Sequence, residues 1–112
     1  MDYYTEGLKI DQFQDNKPSL ASDYNMLGEL YVEMDDLRQA ERFFEQSISI
    51  SKQINAHPEL ALAYYNLGLL YKRKGQKNKA RDYFKAAEDI YRLIDTSDYQ
   101  EVKQELINLD NQ

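Results

Sequence analysis

Residues 64–84 read YYNLGLLYKRKGQKNKARDYF, and this stretch decides the fold. Tyr64, Leu67, Gly68 and Tyr71 fall at i, i+3, i+4 and i+7, one stripe of a helix. Lys74-Gly75-Gln76 predicts a stop, because glycine takes the left-handed conformation at a helix C-terminus without a Cβ penalty. Ala80, Phe84, Ala87, Ile90 and Ile94 resume helical spacing beyond it. Gly68 and Ala80 have little or no side chain, so they are where the two helices come closest. The stretch predicts a helical hairpin built from sequence-local contacts.

The pattern recurs 40 residues earlier in Tyr24, Leu27, Gly28, Tyr31, Ala40, Phe44, Ile50 and Ile54. Pro18, Leu20 and Ala21 match Pro58, Leu60 and Ala61, and Asp35 stands where Gly75 stands. A fixed internal period of this size implies stacked repeats. The register extends to both ends: Tyr3-Tyr4 precede Phe43-Phe44, and Asp98 to Glu105 stands where a third first-helix begins. The expected organisation is a single domain over 1–112. It holds a half-repeat helix at 1–14, repeats at 18–54 and 58–94, and a capping helix at 97–109. The cap is expected to turn Val102, Leu106 and Leu109 inward and to expose Gln100, Glu101, Gln104 and Glu105. The half-repeat has no first helix before it. Its apolar side, Tyr3, Tyr4 and Leu8, is expected to continue a longer array or to self-associate as a homo-oligomer.

These residues resemble the tetratricopeptide repeat, whose pattern is an aromatic, Leu-Gly, Tyr, Ala, an aromatic and Ala, with a proline between units. Ser47 takes the place of the last Ala in the first copy. The resemblance implies an all-α fold, a right-handed superhelix of antiparallel hairpins (an α-α solenoid) with about five helices. The period exceeds the usual ~34 residues, so longer helices are expected, as in signalling adaptors, motor light chains and bacterial regulators. It also implies a non-catalytic interaction module of a larger adaptor or regulator, with a protein or peptide partner lying in a concave groove lined by the first helices. Carried over by register, the groove residues are Asn25, Glu29, Leu62, Tyr65, Asn66, Leu69, Lys72 and Arg73, with Ser22, Met26, Val32 and Glu33 alongside. Asn66 matches the asparagine that bonds a bound peptide's backbone in long-repeat members. Met26 interrupts that ladder, and Glu29 argues against capture of a C-terminal carboxylate.

Composition narrows the classes. The 112 residues carry a net charge of −6, against a general nucleic-acid surface. Residues 1–59 hold a net −7, residues 60–94 a net +5 and residues 95–112 a net −4. The basic run Lys72, Arg73, Lys74, Lys77, Lys79 and Arg81 reads as a solvated turn favouring the helix dipole, or as a docking patch for an acidic partner. There is no cysteine, and a cytoplasmic setting is expected. No apolar run approaches the ~18 residues of a membrane span, and MDYYTEGLKI lacks the features of a secretory signal. His57 is the single histidine, expected in a linker beside Pro58. No nucleophile elbow, HExxH, P-loop or Rossmann pattern occurs. Asp35-Asp36 and the series Asp95, Asp98, Glu101 and Glu105 lack calcium-loop spacing and read as solvated surface. No enzyme activity, metal or cofactor is expected. Of the ten tyrosines, Tyr24, Tyr31, Tyr64 and Tyr71 are expected in the packing, while Tyr65 stands on another face.

Overall fold

A computed structural model describes residues 17–94 and 98–111. Among them are five helices and no strand: α1 (Lys17–Glu33), α2 (Leu37–Ile54), α3 (His57–Arg73), α4 (Lys77–Ile94) and α5 (Asp98–Asp110). The all-α expectation holds. The helix expected over 1–14, with Tyr3, Tyr4 and Leu8, lies outside the described residues.

The long period comes from long helices and minimal links. A helix of 17 residues, a turn at 34–36, a helix of 18 residues and a link at 55–56 return the chain to the start of α3. Two helices begin earlier than the sequence suggested. The first helix starts at Lys17, one residue ahead of the expected repeat, and His57 opens α3 instead of standing in a linker. Proline tolerates a first helical turn, where its missing N–H has no partner to lose.

The two hairpin turns are built alike. Gln76 N donates to Tyr71 O and Gly75 N to Lys72 O; Asp36 N and Asp35 N do the same to Tyr31 O and Val32 O. Both pairs of bonds close the last carbonyls of a helix around a left-handed residue. Gly75 has φ 80° and Asp35 has φ 63°. Asp36 then caps α2, its Oδ1 accepting from Gln39 N at 3.3 Å. Asp36→Ala is expected to cost about 1 kcal/mol, read as a lower urea midpoint with an unchanged slope.

Packing follows the register. α1 lies on α2 and α3 on α4, while α2–α3 and α4–α5 contacts join successive hairpins, and α1 also touches α3. At the heart of each hairpin a phenylalanine ring covers a glycine. A Cβ at Gly68 would stand 2.5 Å from Phe84 Cε1, and one at Gly28 would fall on the Phe44 ring in the same way. Each hairpin also carries a layered trio of rings. Tyr24 and Tyr31 flank Phe43 at centroid distances of 6.0 and 5.4 Å, and Tyr64 and Tyr71 flank Tyr83 at 6.2 and 5.5 Å. Ser47 is buried where the second hairpin has Ala87, and its hydroxyl donates to Ala21 O at 2.9 Å. A hydroxyl at this helix crossing is therefore paired rather than stranded. Val102 and Leu109 of α5 are buried, and Leu106 packs against the same core.

Candidate functional site: the surface shared by α1, α3 and α5

The first helices of the hairpins place their outward residues on one surface, and two cavities open there. One, of about 290 Å³, is lined by Glu29, Val32 and Glu33 of α1, Phe44 of α2, and Asn66, Leu69, Leu70 and Arg73 of α3. The other, of about 380 Å³, is bounded by Ser22 and Asn25 of α1, Leu62 and Tyr65 of α3, Tyr91 of α4, and Asp98, Glu101 and Val102 of α5. Seven of the eight groove positions read from the sequence line one cavity or the other: Glu29, Asn66, Leu69 and Arg73 the first, Leu62, Tyr65 and Asn25 the second. Lys72 lies instead by a smaller hollow with Gly75, Lys77 and Leu109.

Their exposure differs in ways that register could not tell. Asn25 is only 1% exposed, and its amide donates to Glu59 O at 3.2 Å, tying α1 to the first turn of α3. Its Oδ1 has no partner among the described residues. Asn66 is 8% exposed, and its Nδ2 is a buried donor with no acceptor among the described residues. Met26 is open to solvent, and Tyr65 is half-buried against Phe84 at 5.8 Å between rings. Burial, and then the nearby Glu33, push the Glu29 carboxyl above its ordinary value.

Most of the basic run is engaged inside the chain. Lys72 pairs with Glu105 at 2.8 Å and Arg81 with Asp110 at 3.0 Å, both on α5. Arg73 reaches Asp35 at 2.8 Å and Val32 O at 3.2 Å, so the two hairpin turns are linked. Lys74 approaches Glu41 at 3.4 Å, and the Tyr71 hydroxyl donates to the same carboxylate. Lys74 and Lys79 also lie over the Tyr71 ring, at 5.0 and 5.1 Å from its centroid. The acidic, basic, acidic order of the sequence is thus an order of neighbours, each boundary between units being crossed by ion pairs. Partly exposed pairs of this kind contribute roughly 0–1 kcal/mol each, so they set register more than they set total stability. The sequence carried the signal in its alternating net charge, but the partners are more than 28 residues apart and only packing identifies them.

Among the described residues, no three His, Cys, Asp or Glu side chains converge as a metal site requires. No described helix is long and apolar enough to cross a membrane. His57 is exposed at the start of α3.

A family description, tetratricopeptide repeat, matches residues 19–92. The chain belongs to that family, and the all-α solenoid and protein-interaction character go with it. It is 39% identical over 59 residues to Response regulator aspartate phosphatase E of Bacillus subtilis (strain 168), covering 53% of this chain and 16% of that protein. It is 32% identical over 84 residues to Protein HGV2 of Halocynthia roretzi, covering 73% of this chain and again 16% of the relative. The chain thus spans about a sixth of the length of these curated relatives.

Proposed function

We propose that this chain is a non-catalytic module that binds a peptide segment of a protein partner along the surface of α1, α3 and α5. The observation that carries this reading is Asn66. A side-chain amide donor that is buried and unpartnered costs about 1–3 kcal/mol, and here it lies in the wall of a cavity large enough for a peptide side chain. A backbone carbonyl of a bound peptide would accept from it. Leu69 and Val32 beside it offer apolar contact, and Glu29, Glu33 and Arg73 form a charged rim. The name of the Bacillus subtilis relative connects that protein with response regulators. We take the present chain to correspond to an interaction part of such a regulator, without a catalytic part of its own.

The experiment is selection of peptides from a random display library on the intact chain, followed by affinity measurement on variants. Asn66→Ala and Leu69→Asp are expected to weaken selected peptides by about tenfold or more, the 1.4 kcal/mol equivalent, with far-UV circular dichroism unchanged. Retention of full affinity by both folded variants would overturn the groove reading. Charge reversal at Lys72 and Arg73 is a poorer probe, because it also breaks their pairs with Glu105 and Asp35.

A further inference from the structure

The larger cavity differs in chemistry from the one that holds Asn66. Among the described residues its titratable lining is Glu59, Asp98, Glu101, Tyr65 and Tyr91, with no lysine or arginine. Asp98 and Glu101 are exposed, and no ion pair among the described residues neutralises them. They stand on the first turn of α5, the end that favours negative charge. Their field reaches into the cavity. The Tyr65 and Tyr91 hydroxyls are both pushed up, by burial first and then by nearby carboxylates that include Asp98 and Glu101. The second, independent feature is Asn25, whose buried Oδ1 is an acceptor without a donor in the wall of the same cavity. An unpaired acceptor, two unpaired carboxylates and two aromatic rings all ask for the same occupant, one with N–H donors and positive charge.

A metal ion does not fit this arrangement, because no three carboxylate or imidazole groups converge among the described residues. The cavity, about 380 Å³, suits an organic cation. We propose that it is a subsite for a basic side chain, lysine or arginine, of the bound peptide. Asp98 and Glu101 hold the cationic head, Asn25 Oδ1 offers a neutral acceptor, and Tyr65 and Tyr91 flank the head. The inference rests on the groove reading above and specifies its partner: a peptide with a basic residue placed to reach the end of the groove formed by the start of α3 and the start of α5.

The test titrates the isotopically labelled full chain with N-acetyl-argininamide, N-acetyl-lysinamide and the neutral N-acetyl-citrullinamide, followed by amide chemical shifts. Saturable shifts at Leu62, Tyr65 and Val102 are expected with the two cations and not with citrulline. The double variant Asp98→Asn, Glu101→Gln is expected to weaken them by about tenfold with unchanged circular dichroism. A wild-type titration at about 0.05 and 0.5 M salt gives a readout independent of any variant, and screening should weaken the cations at high salt. No saturable shift, equal response to citrulline, or indifference to salt overturns the proposal. Stronger shifts with one cation than the other support it and identify lysine or arginine as the residue. These probes do not use Asn66 or Leu69. If selected peptides depend on those residues but show no preference for a basic side chain, the cation subsite falls while the groove reading stands.

Discussion

Phe84→Ala is expected to remove about 3–5 kcal/mol of stability, among the largest single effects at the described residues. A domain of this size has roughly 5–15 kcal/mol in total, so the variant should be substantially unfolded at modest temperature. Phe84 is fully buried, and its ring lies over Gly68 at a separation that leaves no room for a methyl group. The same contact makes Gly68→Ala destabilising, against the usual preference for alanine over glycine in a helix of about 1 kcal/mol. Alanine there must displace a ring enclosed on all sides, and overpacking of this kind costs about 1–3 kcal/mol. The two positions are therefore coupled. Once the ring is gone, the added methyl group occupies part of the space it leaves. The double variant Gly68→Ala, Phe84→Ala is expected to lose less than the sum of the singles, by roughly 0.5–3 kcal/mol. Urea unfolding of all four proteins measures the cycle, and strict additivity would show that the ring does not rest on the glycine. Phe44 and Gly28 repeat the geometry in the first hairpin and should behave in the same way.

Glu41→Ala is expected to cost about 1–3 kcal/mol, more than any of the partly exposed ion pairs. Glu41 receives the Tyr71 hydroxyl and lies near Lys74, so it joins α2 to α3 and the turn that follows. Tyr71 is only 6% exposed, and removal of the carboxylate leaves its hydroxyl without that acceptor. Tyr71→Phe removes donor and need together, while Lys74 remains beside Glu41, so its cost should be smaller. The order of the two losses is the diagnostic result, and equal losses would refute the asymmetry. Titration supplies a second readout. Burial first, and then the hydrogen bond and charge of Glu41, push the Tyr71 hydroxyl above its ordinary value; Tyr83 shifts the same way. The folded protein holds these protons more tightly than the unfolded chain. Their contribution is complete below the ordinary tyrosine value of about 10 and is lost as pH rises above it. The thermal midpoint should fall on the alkaline side of that value, and less steeply in Tyr71→Phe.

The helices and their pairing were legible in local residues. The spacing of Tyr64, Leu67, Gly68 and Tyr71 describes a face, Gly75 a stop and Ala80 to Ile94 a second face. These are contacts between residues close in the chain, where period and turn chemistry speak directly. Asp35 could be matched to Gly75 because aspartate accepts a left-handed backbone at little cost, and it has positive φ. The starts of α1 and α3 were less legible, because proline marks a first turn as readily as a linker.

The candidate surface was legible as a set of positions but not as chemistry. Register placed Asn25 and Asn66 on the first helices, yet could not reveal which atoms packing would leave unpaired. Only the approach of α3 to α1 spends the Asn25 amide on Glu59 O while its Oδ1 stays unpaired, and packing separately leaves the Asn66 Nδ2 without a partner among the described residues. The charged run told a similar story. The sequence determined that an acidic unit precedes a basic one and an acidic tail follows. The tertiary structure decided that these charges meet within the chain, since Arg73 and Asp35, or Arg81 and Asp110, become neighbours only when hairpins stack. Local periodicity can be read from a string because its partners lie within a turn or two. Pairing, burial and the shape of a cavity depend on residues brought together from far apart, and those were decided by the fold.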